Sequence, residues 1–165
     1  MQSLERELSE KSVWPVERLV QYLQSDHKRF LDEELPRLFS LAQGVDRKSL
    51  IQFLDSMRAE LKGHFKTEEN IVFPVLISME NQDPGPLEPA LLYACRHMKS
   101  DHRLHEKHLK TLAAFQNEME EDRDNPVVLP LVNALEDFGR RMLLHLTIEN
   151  SFLFKPYLPD TDSRR

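Results

Sequence analysis

The stretch His64-Phe65-Lys66-Thr67-Glu68 decides the reading of this chain, because it returns as His145-Leu146-Thr147-Ile148-Glu149 in the same local setting. The first copy continues Glu69-Asn70-Ile71-Val72-Phe73-Pro74 and the second continues Asn150-Ser151-Phe152-Leu153-Phe154-Lys155-Pro156. Residues i and i+4 of a helix share a face, so each copy can aim one imidazole and one carboxylate at the same point. The spacing alone decides little. Seven histidines in so acidic a chain produce about one His-x-x-x-acid pair by chance, and His97/Asp101 and His102/Glu106 match it too.

Periodicity around the two copies carries more. Leu50, Leu54, Met57, Leu61, His64, Glu68, Ile71 and Val75 follow an unbroken four-three alternation, which places His64 and Glu68 on the core line of a helix. Asp46, after Gly44-Val45, is the expected N-cap of that helix, and Pro74 its kink or stop. Gly63 inside a helix costs about 1 kcal/mol relative to Ala and suggests a close helix approach beside His64. Upstream, Ser12-Val13-Trp14-Pro15 reads as a helix start. Val16, Val20, Leu23, His27 and Phe30 line the inward face of that first helix, which runs to about Gln43 with a kink at Pro36.

Downstream, an irregular connection spans Asn81 to Pro89. The third helix carries Leu91, Cys95, Met98, His102, His105, Leu109, Leu112 and Met119 on one line, with His97 and His108 each one residue off it. Glu120 to Asn125 is an acidic turn, and Pro126 or Pro130 opens the fourth helix. There Leu131, Leu135, Phe138, Met142, His145, Glu149, Phe152 and Pro156 repeat the alternation. The expected organisation is a polar lead over 1–12, a helical bundle over 13–158 and a polar tail over 159–165. Four long amphipathic segments with mostly short connections predict an all-α, up-down-up-down antiparallel four-helix bundle. Reversals near residues 45, 83 and 123 then bring His27, His64, Glu68, His102, His145 and Glu149 to one level, within about a turn of each other.

Composition bounds the function. A chain of 165 residues is the size of one domain. Its formal charge of −6, with dispersed Lys and Arg, argues against nucleic acid as a partner. Residues Met1 to Lys11 lack the apolar core of a signal peptide, and no apolar run approaches the roughly 20 residues of a membrane span, so a cytoplasmic protein without membrane association is expected. The only cysteine, Cys95, rules out an intrachain disulfide and a multi-cysteine zinc site.

Burying carboxylates and imidazoles among Leu, Phe and Met costs several kcal/mol per charge unless they are neutralised or bound to a cation. His27 with His64/Glu68 forms one half of the layer, and His102 with His145/Glu149 the other. Each half supplies two nitrogens and a carboxylate suited to bridging two metals. Nitrogen and oxygen donors without thiolate fit iron, manganese or zinc, and bundle interiors host carboxylate-bridged metal pairs. Two iron ions are the expected cofactor, with manganese or zinc as alternatives, and with positions left for an oxo or hydroxo bridge and a diatomic ligand such as dioxygen or nitric oxide.

These residues resemble the hemerythrin-like, or HHE cation-binding, family: His on the first helix, His-x-x-x-Glu on the second, His on the third and a His-plus-acid pair on the fourth. The resemblance covers roughly residues 13 to 157. Oxygen-carrying hemerythrins place an Asp five residues after the last His, whereas this chain has Glu149 at four and Asn150 at five. The ending is closer to the repair-of-iron-centres branch, whose di-iron site uses His-x-x-x-Glu twice and is associated with nitrosative and oxidative stress. The cysteine-containing N-terminal domain often found in that branch has no counterpart in residues 1–12. The resemblance implies a non-haem di-iron protein that binds or reduces nitric oxide or oxygen species, or supplies iron for repair of iron–sulfur centres. Its partners would be an electron donor or iron–sulfur protein. A reversible sensor or carrier of such gases, and a metal store or structural interaction module, are the alternatives, and the bundle ends could pack a homodimer.

His105, three residues after His102, is either a further ligand or a residue that orients one. His97 and His108 are expected to face solvent, and Asp101 and Glu106 to be helix-surface charges, with Asp101 able to accept a hydrogen bond from a neighbouring histidine. Cys95 reads as a small buried hydrophobe, Glu34 as lining an access path, and Trp14 and Tyr22 as packing.

Overall fold

A computed structural model describes residues 4–81 and 89–157. The interior of the expected connection between Asn81 and Pro89, the side chain of Leu91 and the tail over 159–165 lie outside the described residues. Every regular element among those described is helical. They are α1 (Leu4–Lys11), α2 (Val16–Arg29), α3 (Leu35–Gly44), α4 (Lys48–Thr67), α5 (Phe73–Glu80), α6 (Pro89–Glu118) and α7 (Leu129–Ile148). No helix among them is long and apolar enough to cross a membrane.

Three π-helical turns extend these helices into continuous rods. Phe30–Glu34 joins α2 to α3, Glu68–Val72 joins α4 to α5, and Glu149–Phe154 prolongs α7. Each ends just before a proline: Pro36, Pro74 and Pro156. A proline inside an α-helix lacks a donor and clashes with the carbonyl four residues back. Here the residue preceding the proline bonds five residues back instead, Leu35 N–H to the Phe30 carbonyl and Phe73 N–H to the Glu68 carbonyl. The wider turn admits the proline ring without ending the rod.

A π turn inserts one residue into the periodicity, so the buried face advances by one. The expected line through Ile71 and Val75 is therefore displaced: these side chains are 56% and 36% exposed, and Val72, Phe73 and Leu76 fill the core. Beyond Glu149 the same shift buries Leu153 and Phe154, leaving Phe152 partly buried and Pro156 exposed. Beyond Phe30 it buries Leu35, Leu38 and Ala42, with Phe39 and Leu41 packed at the margin. Helix α6 contains no internal proline and runs without interruption.

The packed pairs include α3 with α4 and α7, α4 and α7 with α6, and α2 with α5. Two apolar clusters result. One holds Phe30, Leu54, Leu61, Phe65, Leu112, Phe138 and Met142, and the other holds Leu23, Phe73, Cys95, Met98, Ile148 and Phe154. Along each rod the junction between them falls at a histidine or at Glu68, so the polar layer is clamped between two dry cores.

Smaller expectations change. The polar lead contains a helix, α1, whose Leu4 and Leu8 share a face and pack on the second cluster. Buried Lys11 sets its ammonium 5.1 Å from the Trp14 ring and 4.8 Å from the Tyr22 ring. Asp46 is not an N-cap: α4 begins at Lys48, and Asp46 instead takes a left-handed φ of 51° in the turn, a conformation Asp tolerates better than most residues. Pro130, in the first turn of α7, opens the last helix. A Cβ added to Gly63 would meet nothing within 4 Å, so no close approach demands that glycine.

Candidate metal centre

Six side chains meet in the layer. His27 comes from α2, His64 from the end of α4 with Glu68 opening its π turn, His102 from α6, and His145 from the end of α7 with Glu149 opening the next π turn. All are buried, and both carboxylates are 0% exposed.

They form two overlapping groups. His27, Glu68, His145 and Glu149 each offer one ligand atom within 4.8 Å of the others, and so do His64, Glu68, His102 and Glu149. The carboxylates belong to both groups through different oxygens. Glu68 Oε1 lies 2.9 Å from His64 Nε2 and 3.4 Å from His102 Nε2, while its Oε2 lies 3.2 Å from His27 Nε2. Glu149 Oε2 lies 3.0 Å from His102 Nε2, and its Oε1 3.1 Å from His145 Nε2. Ligand atoms about 2.1 Å from one cation stand roughly 3 Å apart, and the Nε2 atoms of His64 and His102 are separated by 3.1 Å.

Each imidazole is oriented by an acceptor for its other nitrogen. His27 Nδ1 donates to Glu69 Oε1 at 2.8 Å, His64 Nδ1 to Asp101 at 3.2 Å, His102 Nδ1 to Asn150 Oδ1 at 2.9 Å and His145 Nδ1 to Asp26 Oδ2 at 3.2 Å. Carboxylate and amide oxygens only accept, so the Nδ1 proton is fixed and every Nε2 turns to the centre. His27 Nε2, His145 Nε2, Glu68 Oε2 and both Glu149 oxygens are buried without a hydrogen-bond partner. Orphaned donors and acceptors are rare in a native interior, and these orphans are the atoms that converge. The residues fit a pair of cations.

Electrostatics agree. Burial alone lowers a histidine pKa, but the negative charge of Glu149 close by overcomes it at His102, pushed up to about 10, and that charge together with the hydrogen bond to Asp26 does so at His145, also about 10. His64 is raised against burial by Glu68. Burial and Glu68 push the Glu149 carboxyl up, yet His145 and His102 prevail and hold it at about 2, and Glu68 is likewise held well below the usual range. Protons and cations compete for the same atoms.

His105 is buried with its ring centre 4.6 Å from that of His64, outside both four-residue groups, and its Nδ1 has no partner. Burial pushes its pKa down to about 3. His108, expected in solvent, is largely covered: it sits edge-on to Phe53 and 3.2 Å from Glu60 of α4. His97 is exposed and stacks on Tyr93. Cys95 is buried, Glu106 is exposed, and Glu34 is tied to Arg29 and Arg141 at 3.0 and 2.7 Å. The acceptors Asp26 and Glu69 escaped the sequence reading. Their signal was adjacency: Asp26 precedes His27 as Asp101 precedes His102, and Glu69 follows Glu68 as Asn150 follows Glu149.

Fold and layer together define a helical protein with a buried histidine–carboxylate cluster whose atoms fit a cation site. The family model described as Hemerythrin HHE cation binding domain matches residues 18–157. The chain belongs to this family. Comparisons with curated proteins and with solved structures give no match.

Proposed function

We propose that this chain holds two iron ions, bridged by Glu68 and Glu149, one on His27 and His145 and the other on His64 and His102. The observation that carries this reading is the sharing of the two carboxylates between two four-residue groups, one oxygen turned to each side. The rods bearing these residues run up-down-up-down. His105 supports the ring of His64 rather than adding a donor.

Non-haem iron supplies reversible one-electron chemistry and an affinity for diatomic gases. The residues around it exclude bulk water, fix the imidazole tautomers and neutralise charge. Stacking of His27 on Phe65, with ring centres 3.8 Å apart, and the two apolar clusters surround the layer with apolar side chains, an environment that favours small uncharged ligands over polar ones. The function that fits is binding or reduction of nitric oxide or dioxygen species under nitrosative or oxidative stress. The repeated His-x-x-x-Glu supports the likeness to the repair-of-iron-centres branch, and with it iron supply to damaged iron–sulfur centres.

Elemental analysis of protein purified without added metal, with visible spectra before and after anaerobic reduction and exposure to nitric oxide, tests this. Two irons per chain and bands that bleach on reduction and change with nitric oxide are expected. One zinc, or a folded chain without metal, refutes it.

A further inference from the structure

The layer has an internal pseudo-twofold pattern. Asp26-His27 with His64-x-x-x-Glu68-Glu69 corresponds to Asp101-His102 with His145-x-x-x-Glu149-Asn150. Hydrogen bonds obey the same operation. Within each half, the histidine of the first rod donates to the residue after the glutamate, His27 to Glu69 and His102 to Asn150. Across the halves, the histidine of the second rod donates to the aspartate of the other, His64 to Asp101 and His145 to Asp26. Even the π turns correspond, each opening at the glutamate and followed by a proline.

One position breaks the pattern: a carboxylate at Glu69 stands where the other half has the neutral amide of Asn150. A carboxylate that accepts an Nδ1 proton polarises the ring and makes Nε2 a stronger donor to a cation, whereas an amide does so far less. The remaining two acceptors are both carboxylates. Asp26 also binds Arg29, but through Oδ1, leaving Oδ2 for His145. Asp101, besides accepting from His64, stands 3.9 Å from the exposed His97.

We infer that the two cation positions are inequivalent, and that Asn150, acting through His102, makes the position of His64 and His102 the weaker one. This rests on the di-iron reading above. The weaker position gives up its ion first.

The test uses the full chain loaded anaerobically with ferrous ion and challenged with the ferrous chelator ferrozine. Release should occur in two phases of equal amplitude. Asn150→Asp, which keeps size and shape, should slow the fast phase about 10- to 100-fold and leave the slow phase unchanged. Glu69→Gln should accelerate the slow phase by a comparable factor. As a second readout, Mössbauer spectra of the 57Fe-loaded wild type should show two doublets that draw together in Asn150→Asp. A single release phase in the wild type, equal shifts of both phases, or no shift in either variant overturns the inference while leaving the di-iron reading intact. A chain that retains no pair of irons overturns both. Should Asn150→Asp lose helicity by circular dichroism, Glu69→Gln and the wild-type spectra decide alone.

Discussion

Loading the centre must expel protons, and the number follows from the layer. His102 and His145 are pushed up to about 10 chiefly by Glu149, so both are protonated at neutral pH. A cation needs the same Nε2 atoms bare. Two protons must therefore leave, and each makes the apparent affinity rise about tenfold, or roughly 1.4 kcal/mol, per pH unit. Between pH 7 and 9 the product of the two binding constants should rise by about four orders of magnitude. His64, raised by Glu68, adds in the same direction. Stability without metal must move the opposite way. A histidine whose folded pKa exceeds its unfolded value of 6.5 stabilises fully below 6.5 and loses that contribution as pH rises through about 10. The fall in Tm on chelation should accordingly widen from pH 7 to 9. Calorimetric titration of metal-free chain with manganous ion, in buffers of different ionisation enthalpy, counts the protons directly. Binding without proton release, or an affinity flat across this range, would refute the competition between protons and cations at these atoms.

Glu149→Gln should leave no more than one iron per chain by elemental analysis, because the Glu149 oxygens face His102 and His145 on opposite sides of the layer; retention of two irons would remove Glu149 as a bridge. His105→Leu should lessen acid sensitivity. His105 has a folded pKa of about 3 against 6.5 unfolded, so it withdraws stability as pH falls below 6.5, about 2 kcal/mol by pH 5. Urea unfolding of wild type and variant at pH 7 and 5 should show that difference closing. The π-turn register predicts that Ile71→Asp changes stability by less than about 0.5 kcal/mol, whereas Val72→Asp costs roughly 3 kcal/mol or more. An uninterrupted α-helix would reverse the two.

The helices, the inward histidines and the pairing of His64/Glu68 with His145/Glu149 were legible because they lie upstream of any break in a 3.6-residue period. Register beyond the breaks was not. Four-three counting carried the core line to Ile71 and Val75, and the structure buries Val72, Phe73 and Leu76. The clue was present as an apolar residue five positions after each glutamate, Phe73 and Phe154, with a proline one or two residues beyond. Helix α1 was hidden for another reason: Leu4 and Leu8 are too few to mark an amphipathic segment, and packing on a neighbouring rod decides its conformation. Of the four acceptors, Asp101 could be anticipated as a candidate from its neighbour His102. Asp26 serves His145, 119 residues away, a relation that only the assembled rods reveal.

The π turns also explain how a layer so polar fits inside a bundle so apolar. In a straight α-helix, the positions below Glu68 on its own face would be Ile71 and Val75, with Pro74 colliding with the preceding turn. The wider turn opening at Glu68 absorbs the proline and rotates a new apolar face, Val72, Phe73 and Leu76, under the carboxylate. The turn opening at Glu149 does the same with Leu153 and Phe154. Both carboxylates are thus sealed from water on the side away from the first apolar cluster. A sealed carboxylate must find its countercharge within the layer, and the four Nε2 atoms around the pair offer it only as protons or as bound cations. The same sealing that makes the carboxylates costly to bury therefore makes them selective for a compact, highly charged partner.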